Sequence, residues 1–237
     1  MPSFFRSLRK QASLKILSKA LVIGLTVAAA HSASAQTVTN FSFESPVVAS
    51  YAYEVIDGWT ATGGGTIGGG SHGVGLSDSS GPFANNGTIP DGFQVSFLQT
   101  NGSADTTLLQ TITGLIPGNQ YVVSFFDNSR SYGANPILNV SFGGQAIAGP
   151  QTIAPVGGLN PYNSITGTAF TATSTSADLL FAASLAAPGD ASALIDGVTI
   201  QDIGPAAVPE ASSVISMGLL LALGLGGVAV VRRKRKA

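Results

Sequence analysis

The stretch QYVVSFFD, Gln120 to Asp127, sets Tyr121, Val123 and Phe125 on one side of an extended chain and Val122, Ser124 and Phe126 on the other. A period of two is the signature of a β-strand whose faces meet different surroundings. The same alternation appears on both sides of it. ILNVSF, Ile137 to Phe142, puts Leu138, Val140 and Phe142 opposite Asn139 and Ser141, and FQVSFLQ, Phe93 to Gln99, puts Phe93, Val95 and Phe97 opposite Gln94 and Ser96. Turn signals separate these runs at short intervals: Asp57-Gly58, Pro90-Asp91-Gly92, Asn101-Gly102, Pro117-Gly118-Asn119, Gly143-Gly144, Pro188-Gly189-Asp190 and Asp196-Gly197. Many short strands, frequent turns and no helical stripe predict an all-β sandwich or jelly roll over residues 36–204. ATGGGTIGGGSHGVG, Ala61 to Gly75, reads as a flexible loop by composition, and it lacks the Lys-Ser/Thr ending of a phosphate-binding loop.

Charge sharpens the picture once the two ends are set apart. Five basic residues lie before residue 20 and five close the chain, so eleven acids face the single Arg130 between Gln36 and Ala207. A domain charge near −10 repels phosphate backbones, which argues against nucleic acid as a partner. Cysteine is absent, excluding disulfides, thiol nucleophiles and Cys-based zinc sites. His72 is the only histidine outside the first 35 residues, and it sits in the glycine-rich stretch, poorly placed for a Ser-His-Asp relay. Glu44 and Glu54 reach farthest among the acids, yet no spacing marks them as a glycosidase pair. The expectation is a protein that is not an enzyme.

Both ends read as targeting segments. Residues 1–35 combine basic residues, an apolar run from Ala20 to Ala30 and the small triplet Ala33-Ser34-Ala35, the layout of a secretory signal peptide. At the other end, residues 205–213 form a linker and Val214 to Val231 form 18 uncharged residues, which as a helix rise about 27 Å and just span a hydrocarbon core of ~30 Å. The basic tail 232–237 would stay in the cytoplasm, leaving the domain on the exported side.

Several residues are candidates for function. Trp59, the one tryptophan, is a stacking platform for a sugar or a core residue next to a turn; Tyr132 and Tyr162 are further platforms. The loop Asp127 to Pro136 gathers Asn128, Arg130, Tyr132 and Asn135 between two strands, where sandwich modules present ligand sites. In LIDGVTI, Leu194 to Ile200, the alternation puts Asp196 on the face of Leu194, Val198 and Ile200. An inward carboxylate needs N–H donors or a cation. A structural hydrogen-bond anchor is expected there, with Ca²⁺ as an alternative and a bulge at Gly197 as the way it turns outward. No other cofactor is implied.

Two resemblances add to this reading. Asn40-Phe41-Ser42-Phe43-Glu44, Gly58-Trp59, Ile89-Pro90-Asp91-Gly92 and the closing Leu194-Ile195-Asp196-Gly197-Val198 resemble galactose-binding-like β-sandwich modules, which implies that fold and a carbohydrate ligand; the paired cysteines of the plant members are missing. Val208-Pro209-Glu210, the apolar span and the Arg/Lys end look like a PEP-CTERM sorting signal, with Ala211 where a second proline is usual. That resemblance implies an exosortase-type membrane processing enzyme as partner and a transient hold in the inner membrane. It also implies delivery to the cell surface or an extracellular matrix rich in exopolysaccharide. The leading expectation is a surface or matrix protein that binds exopolysaccharide; the alternatives are a purely structural or adhesive coat protein and a carbohydrate-active hydrolase.

Overall fold

A computed structural model describes residues 35–48, 53, 56–63, 66–69, 83, 85–102 and 105–206. The expected signal segment through Ser34, His72, Glu54, and the tail with its Pro-Glu motif and membrane span lie outside them. Among the described residues every regular element is a strand. The strands are β1 (Ala35–Gln36), β2 (Thr60–Gly63), β3 (Thr66–Gly69), β4 (Asn86–Thr88), β5 (Ser96–Thr100), β6 (Thr106–Thr113) and β7 (Asn119–Ser129). They continue with β8 (Ile137–Phe142), β9 (Gln145–Thr152), β10 (Gly158–Pro161), β11 (Asn163–Thr166), β12 (Phe170–Thr171), β13 (Ser176–Ser184) and β14 (Ala191–Pro205).

Twelve of them form two antiparallel sheets, and β4 and β10 pair in parallel as a separate two-stranded sheet. The front sheet runs β11-β7-β14-β5-β3, with β1 also on β14 and β12 also on β7; the back sheet runs β2-β6-β13-β8-β9. The inner faces are the ones the alternation picked out: Tyr121, Val123 and Phe125 of β7 and Leu138, Val140 and Phe142 of β8 are all buried in one core. Burying each such side chain contributes roughly 1.5–3 kcal/mol, so this interface dominates the stability of the sandwich. Part of the glycine-rich stretch expected to be a loop is sheet instead, since β2 pairs with β6 and β3 with β5 at the ends of their paths. Glycine's backbone completes a ladder like any other, and an outermost strand asks little of its side chains.

The front sheet is buried on its outer face as well. Val95, Phe97 and Leu194 form a second cluster with Phe83 and Tyr162, with Phe126 packed against it. Phe93, expected to share the face of Val95, is exposed instead: it lies in the turn before β5, where its N donates to Glu44 Oε1, whereas Val95 is buried. Gly197 marks the other departure. Its φ of +58° makes a bulge inside β14, where the pairing with β7 jumps from Asp196 to Thr199. An added Cβ would lie 2.9 Å from Phe126 Cδ2, so only glycine fits. The bulge separates what strict alternation joins: Asp196 keeps the outer face of Leu194, whereas Val198 and Ile200 enter the main core.

Candidate functional site

Strand β7 ends at Ser129, and Arg130 N still donates to Ser192 O at 3.0 Å before the chain bends away. The bend returns at Ala134, whose N donates to Asp190 O at 2.9 Å. Gly133, at φ +95°, allows that approach, since a Cβ there would meet Asp190 O at 2.4 Å. This closure brings the expected loop residues against Asp190 at the start of β14. Arg130 Nη2 lies 2.6 Å from Asp190 Oδ2, its Nε donates to Tyr132 O at 3.2 Å, and its Cζ stands 4.3 Å from the Tyr132 ring centroid. Asp190 Oδ1 accepts from Gln99 Nε2 at 2.7 Å, and Gln99 Oε1 accepts from the Tyr53 hydroxyl at 3.0 Å. Partial burial pushes the Asp190 carboxyl up, but the hydrogen bonds from Gln99 and Arg130 and the guanidinium charge outweigh it and hold the group below its usual range.

The result is a polar ridge running Tyr53, Gln99, Asp190, Arg130, Tyr132. Its two tyrosines are each 54 % exposed, and Asn135 is exposed beside the second. Exposed aromatic faces joined by fixed donors and acceptors suit a sugar ring, which offers an apolar face and a rim of hydroxyls. The arginine's charge is already matched by Asp190, so the ridge favours neutral ligands over acidic ones. Arg130, Tyr132 and Asn135 were legible as a loop cluster. Asp190, Gln99 and Tyr53 were not, because no local pattern links Gln99 to a residue 91 positions away.

Three expected site residues lie elsewhere. Trp59 is a core residue, not a platform: it is 5 % exposed, with its ring centroid 5.3 Å from Phe43 and 6.0 Å from Phe181. The turn at Gly58, with Trp59 N donating to Ile56 O, aims the indole between the sheets, and Nε1 donates to Asn40 O. Asn128 is fully buried on the outer face of the front sheet, where Nδ2 donates to Asn86 O and Oδ1 accepts from Ser129 N and Val156 N. Tyr162, also considered as a platform, is buried in the second cluster.

Asp196 is fully buried and acts as a hydrogen-bond anchor. Oδ2 accepts from Asp91 N at 2.9 Å and Oδ1 from Gly197 N at 2.7 Å. Glu44 holds the same turn from the other side, since its Oε1 accepts from Phe93 N and Gln94 N, both at 2.8 Å. Burial pushes the Asp196 carboxyl up to about 7; the two backbone donors oppose this, and the like charges of Asp91 and Glu44 add to it. Among the described residues no three His, Cys, Asp or Glu side chains are grouped to hold a metal ion. Asp127, which no sequence pattern singled out, is a second buried acid. It accepts from Gln151 Nε2 at 2.6 Å and Asn163 Nδ2 at 2.9 Å, and burial raises its pKa against those two bonds.

No protein-family model matches this chain, and no curated protein matches it. Solved structures do. A cyclase from Fischerella sp. in its apo form overlays with a TM-score of 0.56 at 21 % identity, covering 75 % of this chain and 99 % of that one. A Stig cyclase from Fischerella sp. TAU, in complex with (3Z)-3-(1-methyl-2-pyrrolidinylidene)-3H-indole, overlays at 0.55 with 18 % identity, covering 74 % and 100 %. The CBM22-1 xylan-binding domain from Paenibacillus barcinonensis overlays at 0.41 with 15 % identity, covering 63 % of this chain and 88 % of that one. At these identities the first two establish the fold. They also correct one expectation: the sandwich is a scaffold that enzymes use, so the reading of this chain as not an enzyme does not stand.

Proposed function

We propose that this chain is an exported β-sandwich protein that binds a neutral polysaccharide along the ridge from Tyr53 to Tyr132, after delivery to the cell surface or extracellular matrix by its PEP-CTERM-like tail. The observation that carries the binding is the ridge itself: two half-exposed tyrosines at the ends of a fixed Gln99–Asp190–Arg130 hydrogen-bond chain. Export is supported by the basic, then apolar, then small-residue start and by the acidic domain between two basic ends. Val208, Pro209 and Glu210 are the residues an exosortase-type enzyme would recognise.

A glycan array probed with the full chain, with and without Ca²⁺, tests the binding. Tyr132→Ala is expected to weaken it at least tenfold, about 1.4 kcal/mol, with an unchanged melting temperature because the ring is largely in solvent. Silence on every glycan, or an unaltered Tyr132→Ala, removes the reading. Mass spectrometry of the mature protein from its host tests the sorting: the N-terminus is expected at Gln36, with the apolar span lost from the C-terminus. An intact tail would restore a plain single-pass anchor.

A further inference from the structure

The ridge lies where β7 ends and β14 begins; the opposite end of the sandwich, where β7 begins and β14 ends, has a different chemistry. Three described segments meet there: Gly114 to Gly118 between β6 and β7, Ala172 to Thr175 between β12 and β13, and Ile203 to Ala206 at the end of β14. They are tied by backbone hydrogen bonds, Gly118 N to Ala172 O at 2.8 Å, Leu115 N to Thr175 O at 3.0 Å and Ala206 N to Gly118 O at 3.3 Å. They carry two exposed isoleucines, Ile116 at 50 % and Ile203 at 48 %. The backbone of Ile116 is fixed, since its N donates to the hydroxyl of the buried Tyr121 at 2.8 Å.

An exposed isoleucine alone needs no explanation. What singles out this end is its charge: in a domain near −10, these three segments hold no Lys, Arg, Asp or Glu. Asp202, just before the last of them, is buried, its two oxygens accepting from Asn119 Nδ2 at 3.1 and 2.8 Å and its Oδ1 from Gly204 N at 2.8 Å. Asp178 stands farther along β13, where its Oδ1 accepts from Thr111 Oγ1 at 2.7 Å. Exposed apolar side chains on an uncharged, hydrogen-bonded end suit a surface of hydrocarbon behind negative headgroups, which repels the rest of the domain. Chain connectivity brings such a surface close. From Ala206 to Val214, where the uncharged span begins, is eight residues, at most about 29 Å when fully extended. A tether that short keeps the effective concentration high, so a weak apolar contact suffices.

We infer, resting on the reading of residues 214–231 as a membrane span, that this end of the sandwich docks on the lipid surface in which the chain's own tail is set, with Ile116 and Ile203 entering the headgroup boundary. Docking orients the domain. It holds the Val208-Pro209-Glu210 motif at the lipid surface, and it leaves the ridge, at the far end of the 11-residue β7, about 36 Å away and facing outward.

The test uses the full chain, made in a host without the processing enzyme so that the tail is retained, in vesicles of phosphatidylethanolamine and phosphatidylglycerol. The chain has no cysteine, so Thr173→Cys and Ala186→Cys each place one fluorescent label at an exposed position, the first in the uncharged end and the second in the segment between β13 and Asp190. Lipid spin-labelled near its headgroup is expected to quench the label at position 173 roughly threefold more than the label at 186, because an interfacial contact is only ~5–10 Å deep. Ile116→Glu with Ile203→Glu is expected to abolish that difference while the tail still resists carbonate extraction; Ile116→Ser with Ile203→Ser, which adds no charge, is expected to reduce it. Equal or absent quenching at the two positions in carbonate-resistant protein, or a difference that survives both double substitutions, overturns the docking alone. Extraction of the unsubstituted chain by carbonate removes the membrane span and the docking with it. A dimer in detergent that the glutamates dissociate, with no quenching difference in vesicles, assigns this end to a second copy instead and overturns the inference.

Discussion

Trp59→Ala lowers the stability of the sandwich by about 3–5 kcal/mol, the cost of deleting a large aromatic from a packed core. The indole is 5 % exposed and packs against Phe43 from the N-terminal segment and Phe181 from β13, which is itself edge-on to Phe125 of β7 at 5.1 Å. Its removal opens a cavity that touches the segment before β2 and both sheets, and leaves Asn40 O without the indole N–H. Urea denaturation, followed by circular dichroism because the only tryptophan is gone, measures the loss. The same residue separates core from platform: Trp59 emission in the unsubstituted protein is expected to be that of a buried indole and to stay constant as glycans are added. A red-shifted emission that moves on glycan binding, with little change in stability on substitution, would return Trp59 to the ligand site.

Asp196→Asn is expected to flatten the dependence of stability on pH between about 4 and 7. An unfolded aspartate ionises near pH 3.9, whereas burial holds the folded carboxyl near 7. Between these values the folded protein keeps a proton that the unfolded chain releases, so stability falls as pH rises through the window. The slope from this one group approaches about 1.4 kcal/mol per pH unit, is absent below the window and ends above it. Asp127 is shifted in the same direction and adds to the fall, while Asp190, held low, contributes stability that is lost only as pH drops below the usual carboxylate range. Asparagine keeps an acceptor for one of the two backbone donors, Asp91 N or Gly197 N, and carries no proton to lose. Urea midpoints at pH 4.5 and 7.5 for both proteins decide it, and an identical slope in the variant would show that Asp196 does not titrate in this range.

What could be read in advance follows the range of the interaction. The β7 and β8 faces were legible because alternation is local: each Cβ points opposite its neighbour whatever the rest of the chain does. The turns were legible for the same reason, and glycines 58, 92, 102, 118, 143, 144 and 197 all have positive φ. Arg130 and Tyr132 were legible as chemistry in a loop, but the residues that complete their ridge come from other strands and an N-terminal segment. Trp59 was ambiguous because a single residue beside a turn has no periodic neighbours to fix its face.

The sequence by itself determined the strands, their inward faces on the main core, the turn positions and the acidity of the domain, since backbone geometry and composition fix these residue by residue. Only the tertiary structure decided that the front sheet is covered on both faces. One bulge at Gly197 sends Val198 and Ile200 inward and leaves Asp196 under the Asp91 turn, and the non-periodic segments around β4 and β10 cover Asn128 and the cluster of Phe97, Leu194 and Tyr162. That cover is held by contacts between residues far apart in the chain, and such contacts impose no period on the sequence that makes them.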